Sequence, residues 1–485
     1  MKIEKKSIFE YFEEHKTKLK FIYEIDNRKK KSFHDVIETV YKLKNNYSFK
    51  KKKILCILPN CISYIEFFLA ITSSKGVFVP IPFFTEKNEI KKILEFIQPD
   101  IILSDGSKDL KFFKKEIINI NHILGHEIYK KNIIRNDLKD LACIYYSSGT
   151  TGNPKGIMYS HENMLSLIDS INKDFKFGHK DKHLVFLPFG HTASINYNIL
   201  PSLMVGSELF ISGGFANIGV NFFNILKKYK ITYTQIVPSI LFMLNKMNIN
   251  ISKIKFNNLK FIGCGSSFLP LSKQIEFISK YKIKVANLYG LSETGPTHLD
   301  DPREKKWKPG TIGKPLSVCK FKLDKKNNIL IKGKNVFVGY YKNKQLFKKS
   351  FTNTGWFITG DIGKEEKGNI FFLDRSKDLI IKNGINIVPG EIEEEIYKTK
   401  KFLECCVVGI DDEIQGEEIA VAIKPNNSNL KFNLLVDCIK KQCKKNLSNY
   451  KMPKYFYLLD DFPKTASGKI KRIIIKKKLN LVFNK

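Results

Sequence analysis

The sequence predicts an α/β protein: a large layered N-terminal α/β body, an additional small β-rich part behind it, and a small α+β unit at the C-terminus. Three observations predict it. Residues 53–60 (KILCILPN) and 77–82 (VFVPIP) read as short buried strands, and 61–72 between them has helical length and spacing, which makes a βαβ unit. Residues 182–188, 208–212 and 232–237 continue the strand series, alternating with helical stretches such as 220–229. Repeated alternation of this kind argues for a largely parallel, layered α/β body. Near Asn327 the character changes to shorter strands with closely spaced Gly and Asn turns, as in 328–333 and 368–373. After Asp374 a helix near 389–398 and a strand at 405–409 open the α+β unit. There is no internal repeat and no Pro/Ser-rich linker, so the boundary reads as a hinge rather than a tether.

Composition bounds the function. A chain of 485 residues exceeds one ordinary core and calls for at least two domains. Its hydrophobic content of 43% is that of a globular protein. No uninterrupted apolar run reaches the ~18 residues of a membrane span; the nearest, 65–84, is broken by Ser73-Ser74-Lys75-Gly76 and by Pro80 and Pro82. The basic N-terminus lacks the apolar segment of a signal peptide. Nine cysteines include no Cys-x-x-Cys pair, and only Cys405 and Cys406 are adjacent, which fits neither a zinc site nor a disulfide framework. A cytoplasmic enzyme is expected. The net charge of +35 raises nucleic acid as a partner. Yet lysine supplies nearly all of it, against five arginines (Arg28, Arg135, Arg303, Arg375 and Arg472). Arginine is the residue suited to bidentate phosphate and base readout, so nucleic acid is disfavoured. Abundant Lys, Asn, Ile and Phe together look like the drift of an AT-rich coding sequence.

The most informative stretch is Tyr146-Ser147-Ser148-Gly149-Thr150-Thr151-Gly152-Asn153-Pro154-Lys155-Gly156, directly after the apolar Leu141-Ala142-Cys143-Ile144-Tyr145. Glycines let a backbone approach an anion closely, hydroxyls and N–H groups supply neutral donors, and Lys155 supplies charge. The Walker order of glycines, lysine and hydroxyl is absent. Four more motifs follow in order: Tyr289-Gly290-Leu291-Ser292-Glu293-Thr294, Thr359-Gly360-Asp361, Asp374-Arg375-Ser376-Lys377-Asp378, and Pro463-Lys464-Thr465-Ala466-Ser467-Gly468-Lys469. Alone, Glu293 and Asp361 read equally as helix caps or loop acids, Tyr289 as a core aromatic, and Lys469 as one more lysine of a basic tail.

Together, over roughly residues 30–475, these motifs resemble the adenylate-forming superfamily of acyl-CoA synthetases, peptide-synthetase adenylation domains and luciferases. In character the chain is most similar to AMP-dependent acyl-CoA synthetases. The resemblance implies an ATP- and acyl-binding domain over 1–375 and a mobile lid over 376–485 that carries the catalytic lysine. It implies that Lys155, Ser147, Ser148, Gly149, Thr150, Thr151 and Gly152 hold the β,γ-phosphates of ATP, and that Glu293 ligates Mg²⁺. Tyr289 and Gly290 would face adenine, Ser292 the α-phosphate, and Asp361 the ribose hydroxyls with Arg375 in support. Lys469 would bridge carboxylate and α-phosphate during adenylation. Lys377 would be the hinge of the lid, and Gly384 would let a pantetheine arm pass.

Pro188-Phe189-Gly190-His191-Thr192-Ala193-Ser194 resembles the segment that places a histidine at the acyl pocket mouth, and Val237, Gly263, Gly265 and Gly290 would line that pocket. No acid lies between Leu187 and Met204, which disfavours an α-amino substrate. Ser266 and Ser267 stand where relatives often carry Gly-Ala, which points to a narrower or more polar pocket. Apolar acyl and aryl acids both fit. The expected reaction is ATP-dependent: a carboxylic acid becomes acyl-AMP, pyrophosphate leaves, and CoA takes the acyl group. The alternative is a stand-alone adenylation enzyme loading phosphopantetheine on a separate carrier protein. The net charge would steer anionic ATP, CoA or an acidic carrier.

Overall fold

The βαβ unit forms as strand Lys53–Ile57, helix Ile62–Thr72 and strand Val77–Pro80, the two strands parallel with Leu55 opposite Val79. The computed structural model describes residues 7–122, 134, 136–147, 155–247, 249–251, 254–427, 430–464 and 469–483. Helix Ile62–Thr72 is apolar almost all round because it is buried on every side. Its one acid, Glu66, is buried but meets Lys31 Nζ at 2.6 Å, as a buried charge requires.

The large body holds two sheets. The seven-stranded sheet runs Gly339–Tyr340, Lys155–Ser160, Leu141–Ser147, Val77–Pro80, Lys53–Ile57, Ile101–Ser104, Glu116–Asn119. The nine-stranded sheet runs Lys314–Pro315, Gly295–Leu299, Val285–Leu291, Phe261–Gly265, Tyr233–Ile236, Lys182–Val185, Glu208–Ile211, Phe21–Glu24, Lys29–Ser32. Helix His161–Phe175 touches strands of both and is buried along most of its length, so one core serves both sheets. Each sheet is parallel at its centre and antiparallel at a rim. Two motifs lie at the rims: Ser147 and Lys155 pair across the antiparallel strands Leu141–Ser147 and Lys155–Ser160, and Ser292-Glu293-Thr294 is the turn between Val285–Leu291 and Gly295–Leu299.

The β-rich part is a four-stranded antiparallel sheet, Cys319–Leu323, Asn328–Gly333, Phe357–Glu366 and Asn369–Arg375. Its last hairpin turns on Lys367 and Gly368, both at positive φ (53° and 76°), the geometry a two-residue hairpin loop demands. Beyond it, strands Ile380–Lys382, Ile385–Ile387, Phe402–Asp412, Gly416–Pro425 and Tyr455–Leu458 form a separate sheet with helices Pro389–Lys398, Phe432–Asn446 and Arg472–Phe483. This unit has its own cores on the two faces of its sheet, joined from the large body by Phe242. Among the described residues, no helix is long and apolar enough to cross a membrane.

Candidate active site

Asp361 and Arg375 face each other across the antiparallel strands Phe357–Glu366 and Asn369–Arg375. Arg375 Nε lies 3.3 Å from Asp361 Oδ1, Tyr289 OH donates to Oδ2 at 2.8 Å, and the Asp361 N–H donates to Thr359 Oγ1 at 3.1 Å. Burial pushes the Asp361 carboxyl upward, opposed by Arg375 and then Tyr289. Its buried Oδ1 has the Arg375 ion pair but no well-directed hydrogen bond among the described residues. An unmet buried acceptor costs about 1–3 kcal/mol, and native proteins tolerate few without a reason. A sugar hydroxyl is the donor such an oxygen lacks, so the pair fits a ribose.

The Glu293 turn is held on every side. At its stem, a Cβ on Gly290 would lie 2.2 Å from Gly295 O, so only glycine lets the hairpin close. Ser292 O accepts from Tyr159 OH at 2.9 Å, Glu293 O from the Phe337 N–H at 2.9 Å, and Thr294 O from Asn335 Nδ2 at 2.9 Å. Glu293 Oε1 accepts from Tyr340 OH at 2.9 Å. Sequence reasoning singled out none of Tyr159, Asn335, Phe337 and Tyr340. The signal that could have found the last three is the turn-rich run Gly333-Lys334-Asn335-Val336-Phe337-Val338-Gly339-Tyr340. Glu293 is a lone hard carboxylate: no group of three or more His, Cys, Asp or Glu able to hold a metal occurs among the described residues. One carboxylate completed by substrate phosphates suits Mg²⁺, which would neutralise phosphate charge there.

Lys155 opens its strand paired with Ser147, and its Nζ lies 5.4 Å from the centre of the Tyr340 ring. Ser148, Gly149, Thr150, Thr151 and Gly152 lie outside the described residues.

The C-terminal unit brings Lys469 into the same neighbourhood. Burial and the positive charge of Arg375 push its pKa down to about 8, against the pull of Asp361 and Glu293. The segments flanking 465–468 are pinned within the C-terminal unit. Lys471 N–H donates to Pro463 O at 2.8 Å, Lys464 pairs with Glu404 at 2.6 Å, and Arg472 spans Glu393 at 2.8 Å and Val407 O at 2.6 Å. Lys377, in the short turn Ser376–Asp378, is also pushed down, first by burial and, among charges, by Arg375 and Lys155 against Asp378.

His191 caps the next helical stretch: its Nδ1 accepts from the Ala193 N–H at 3.2 Å. The proton of the neutral ring therefore sits on Nε2. Burial, then the charge of Lys469, push the ring down to about 4, so it is neutral at pH 7. A π-helical turn, Ile195–Ile199, follows at once; such bulges recur at functional sites. Gly190 lets this segment lie against the 81–82 backbone, since a Cβ there would meet Ile81 C and Pro82 N at 2.2 Å.

Val237 is buried at the start of helix Pro238–Lys246. The space a Cβ would need at Gly263 is taken by Gln235 Oε1 (2.3 Å), Leu288 Cδ1 and Tyr233 OH (both 2.6 Å), and at Gly265 by Leu288 O (2.6 Å). Gly384 is not gathered with these residues. It turns the hairpin Ile380–Lys382/Ile385–Ile387 at φ 74°, its Cβ direction is open, and its neighbour Asn383 hydrogen-bonds within the C-terminal unit to Gln415.

The AMP-binding enzyme family matches residues 43–341, and the AMP-binding enzyme C-terminal domain matches 391–469. The chain belongs to the AMP-binding enzyme family. Within the adenylate-forming superfamily, this AMP-binding enzyme is 27% identical to the oxalate–CoA ligase of Arabidopsis thaliana over 91% of each chain. It is 32% identical to the 2-succinylbenzoate–CoA ligase of Listeria innocua over 70% of its own length and 71% of that protein's. Its fold matches ATP-bound MatB from Rhodopseudomonas palustris with a TM-score of 0.88 at 21% identity, over 99% of this chain and 100% of that one.

Proposed function

We propose that this AMP-binding enzyme activates a compact carboxylic acid and transfers the acyl group to CoA, using Lys469 for the activation step. It is an ATP-dependent acid–thiol ligase. A carboxylate resists nucleophiles because it is charged and offers only oxide as a leaving group, and joining it to AMP removes both obstacles. The observation that carries the reading is the convergence of Lys469 with Asp361, Arg375, Glu293 and His191 in one neighbourhood. In it, Asp361 and Arg375 take the ribose, Tyr289 and Gly290 border the adenine, and Ser292 lies at the α-phosphate. Lys155 and Ser147, with 148–152, take the phosphates that leave. Glu293 would hold Mg²⁺. Lys469 holds the acid's carboxylate against the α-phosphate, and His191 Nε2–H donates to that carboxylate. The CoA-ligase relatives support CoA as acceptor. We place the enzyme in the cytoplasm, in keeping with its free cysteines.

A compact acid is favoured because Gln235, Tyr233 and Leu288 fill the space over Gly263. The test is thioester formation with CoA, and with carrier-borne phosphopantetheine, over acids of increasing length. Short acids turn over with CoA and long ones fail. Leu288→Ala gains the longer acids by about tenfold per one to two methylenes accommodated, at ~0.8 kcal/mol each. An unchanged length profile contradicts this pocket floor.

The domain split at 375/376, with Lys377 as hinge and Gly384 on the pantetheine path, belongs to the same reading: Lys469 withdraws once acyl-AMP has formed. Lid contacts with the body would then have to break. Glu394 Oε1 accepts the Ser272 N–H at 2.9 Å in the first turn of helix Leu271–Tyr281, where a carboxylate is favoured. Tyr397 packs on Phe242 with ring centres 5.6 Å apart and lies under Lys273 Nζ. Loss of one such cap costs about 0.5–2 kcal/mol. Glu394→Ala therefore slows ATP–pyrophosphate exchange about two- to thirtyfold while thiolysis of supplied acyl-AMP holds or quickens. An equal fall in both half-reactions contradicts the latch.

A further inference from the structure

Tyr340 lies against both Lys155 and Glu293. It sits on the two-residue strand Gly339–Tyr340, antiparallel to Lys155–Ser160 with Tyr340 opposite Ile157. That short strand is clamped along its length: the Val338 N–H donates to Met158 O at 2.9 Å and the Tyr341 N–H to Gly156 O at 2.7 Å. The Tyr340 ring is 5% exposed and packs edge-on against Phe337, centres 4.7 Å apart. Phe337 itself holds the Glu293 carbonyl. From this fixed position the hydroxyl donates to Glu293 Oε1 at 2.9 Å, and the ring face lies 5.4 Å from Lys155 Nζ.

The chemistry of the two contacts differs in a useful way. An aromatic face orients an ammonium through its quadrupole without cancelling its charge, whereas a carboxylate in the same place would neutralise it. The hydroxyl occupies one oxygen of Glu293 and fixes the plane of the carboxylate. We propose that Tyr340 is a positioning residue that sets Lys155 and Glu293 as one unit, the first for phosphate oxygens and the second for a divalent cation. This rests on the ligase reading above. It goes beyond it by assigning to a residue outside the five motifs the register between lysine and metal ligand.

Tyr340→Phe separates the two contacts, because it keeps the ring, its packing and its contact with Lys155 and removes only the hydroxyl. The expected result is a rise on the order of tenfold in the Mn²⁺ concentration needed to form the ternary complex with a non-hydrolysable ATP analogue, read by electron paramagnetic resonance of free Mn²⁺. Metal-free binding of the analogue and the melting temperature stay unchanged. In a Glu293→Gln background the same substitution has no further effect on Mn²⁺ binding. Tyr340→Leu, which also removes the ring, additionally weakens metal-free analogue binding. Unchanged Mn²⁺ binding by a folded Tyr340→Phe protein overturns the proposal, as does a Tyr340→Phe protein that fails to fold, since the hydroxyl would then serve packing. Failure of the wild-type protein to bind the analogue at all would instead overturn the ligase reading.

Discussion

Replacing Lys469 by alanine removes acyl-AMP formation, by about 10²–10³-fold for the loss of one preorganised charge at the reacting phosphate, and spares thiolysis of acyl-AMP supplied from outside. The reason is division of labour. Lys469 shares its surroundings with Asp361, Glu293, Arg375 and Lys377, where charge develops as the acid attacks phosphorus. When a thiol attacks the finished mixed anhydride, the bond to phosphorus is not remade; the C–S bond forms at the acyl carbon, and charge develops on the carbonyl oxygen and the departing AMP instead. The lysine must be protonated to act, and its folded-state pKa is lowered to about 8 by burial and by Arg375. The active form is therefore complete below that value and lost as pH rises through it. In the acid-dependent exchange reaction, kcat/KM for ATP, which reports the free enzyme, should fall above about pH 8. Lys469→Arg keeps its charge across this range and should lose that alkaline limb, though at a lower plateau. Equal damage to both half-reactions by Lys469→Ala contradicts the assignment.

Gly290→Ala has the second large effect. The added carbon would sit 2.2 Å from Gly295 O and 2.8 Å from Pro296 Cα, both backbone atoms, so no rotamer relieves it. Overpacking of this kind costs about 1–3 kcal/mol. The kinetic loss is larger, because this hairpin carries Tyr289, bonded to Asp361, at one end and Glu293 at the other. A shift near 1 Å at such a centre costs on the order of 10²-fold in rate. Gly384→Ala makes the control. Its Cβ direction is open, and its cost is confined to strain at φ 74°, so ATP–pyrophosphate exchange stays near wild type. Exchange by Gly290→Ala within a few-fold of wild type would show that the turn tolerates displacement.

Where local pattern and tertiary demand coincide, the sequence is legible. Asn328–Gly333 and helix Pro389–Lys398 form at the residues their patterns mark, because turn chemistry and helical periodicity are both short-range. The two sheets of the large body were not legible. Parallel strands buried on both faces read alike whichever sheet they join, and nothing local says that 155–160 returns antiparallel beside 141–147. Asp361, Arg375, Tyr289, Glu293 and Lys469 were singled out by the order of their five motifs, since each alone reads as an ordinary acid, aromatic or base. Tyr159 and Asn335 were not, because they act by holding carbonyls of the turn, a role any polar side chain in the right place can fill. Of the five arginines only Arg375 falls within a motif, but Arg472 also pairs with Glu393 inside the C-terminal unit. Glu394 looked like one acid among several on its helix. Only docking against helix Leu271–Tyr281 sets it apart.

The most direct test is ATP–pyrophosphate exchange across a panel of carboxylic acids without CoA, followed by thioester analysis with CoA. Exchange that depends on a compact acid, and yields the CoA thioester of that same acid, is the predicted result. A folded protein that binds MgATP yet exchanges pyrophosphate with no acid, or only independently of acid, would contradict it.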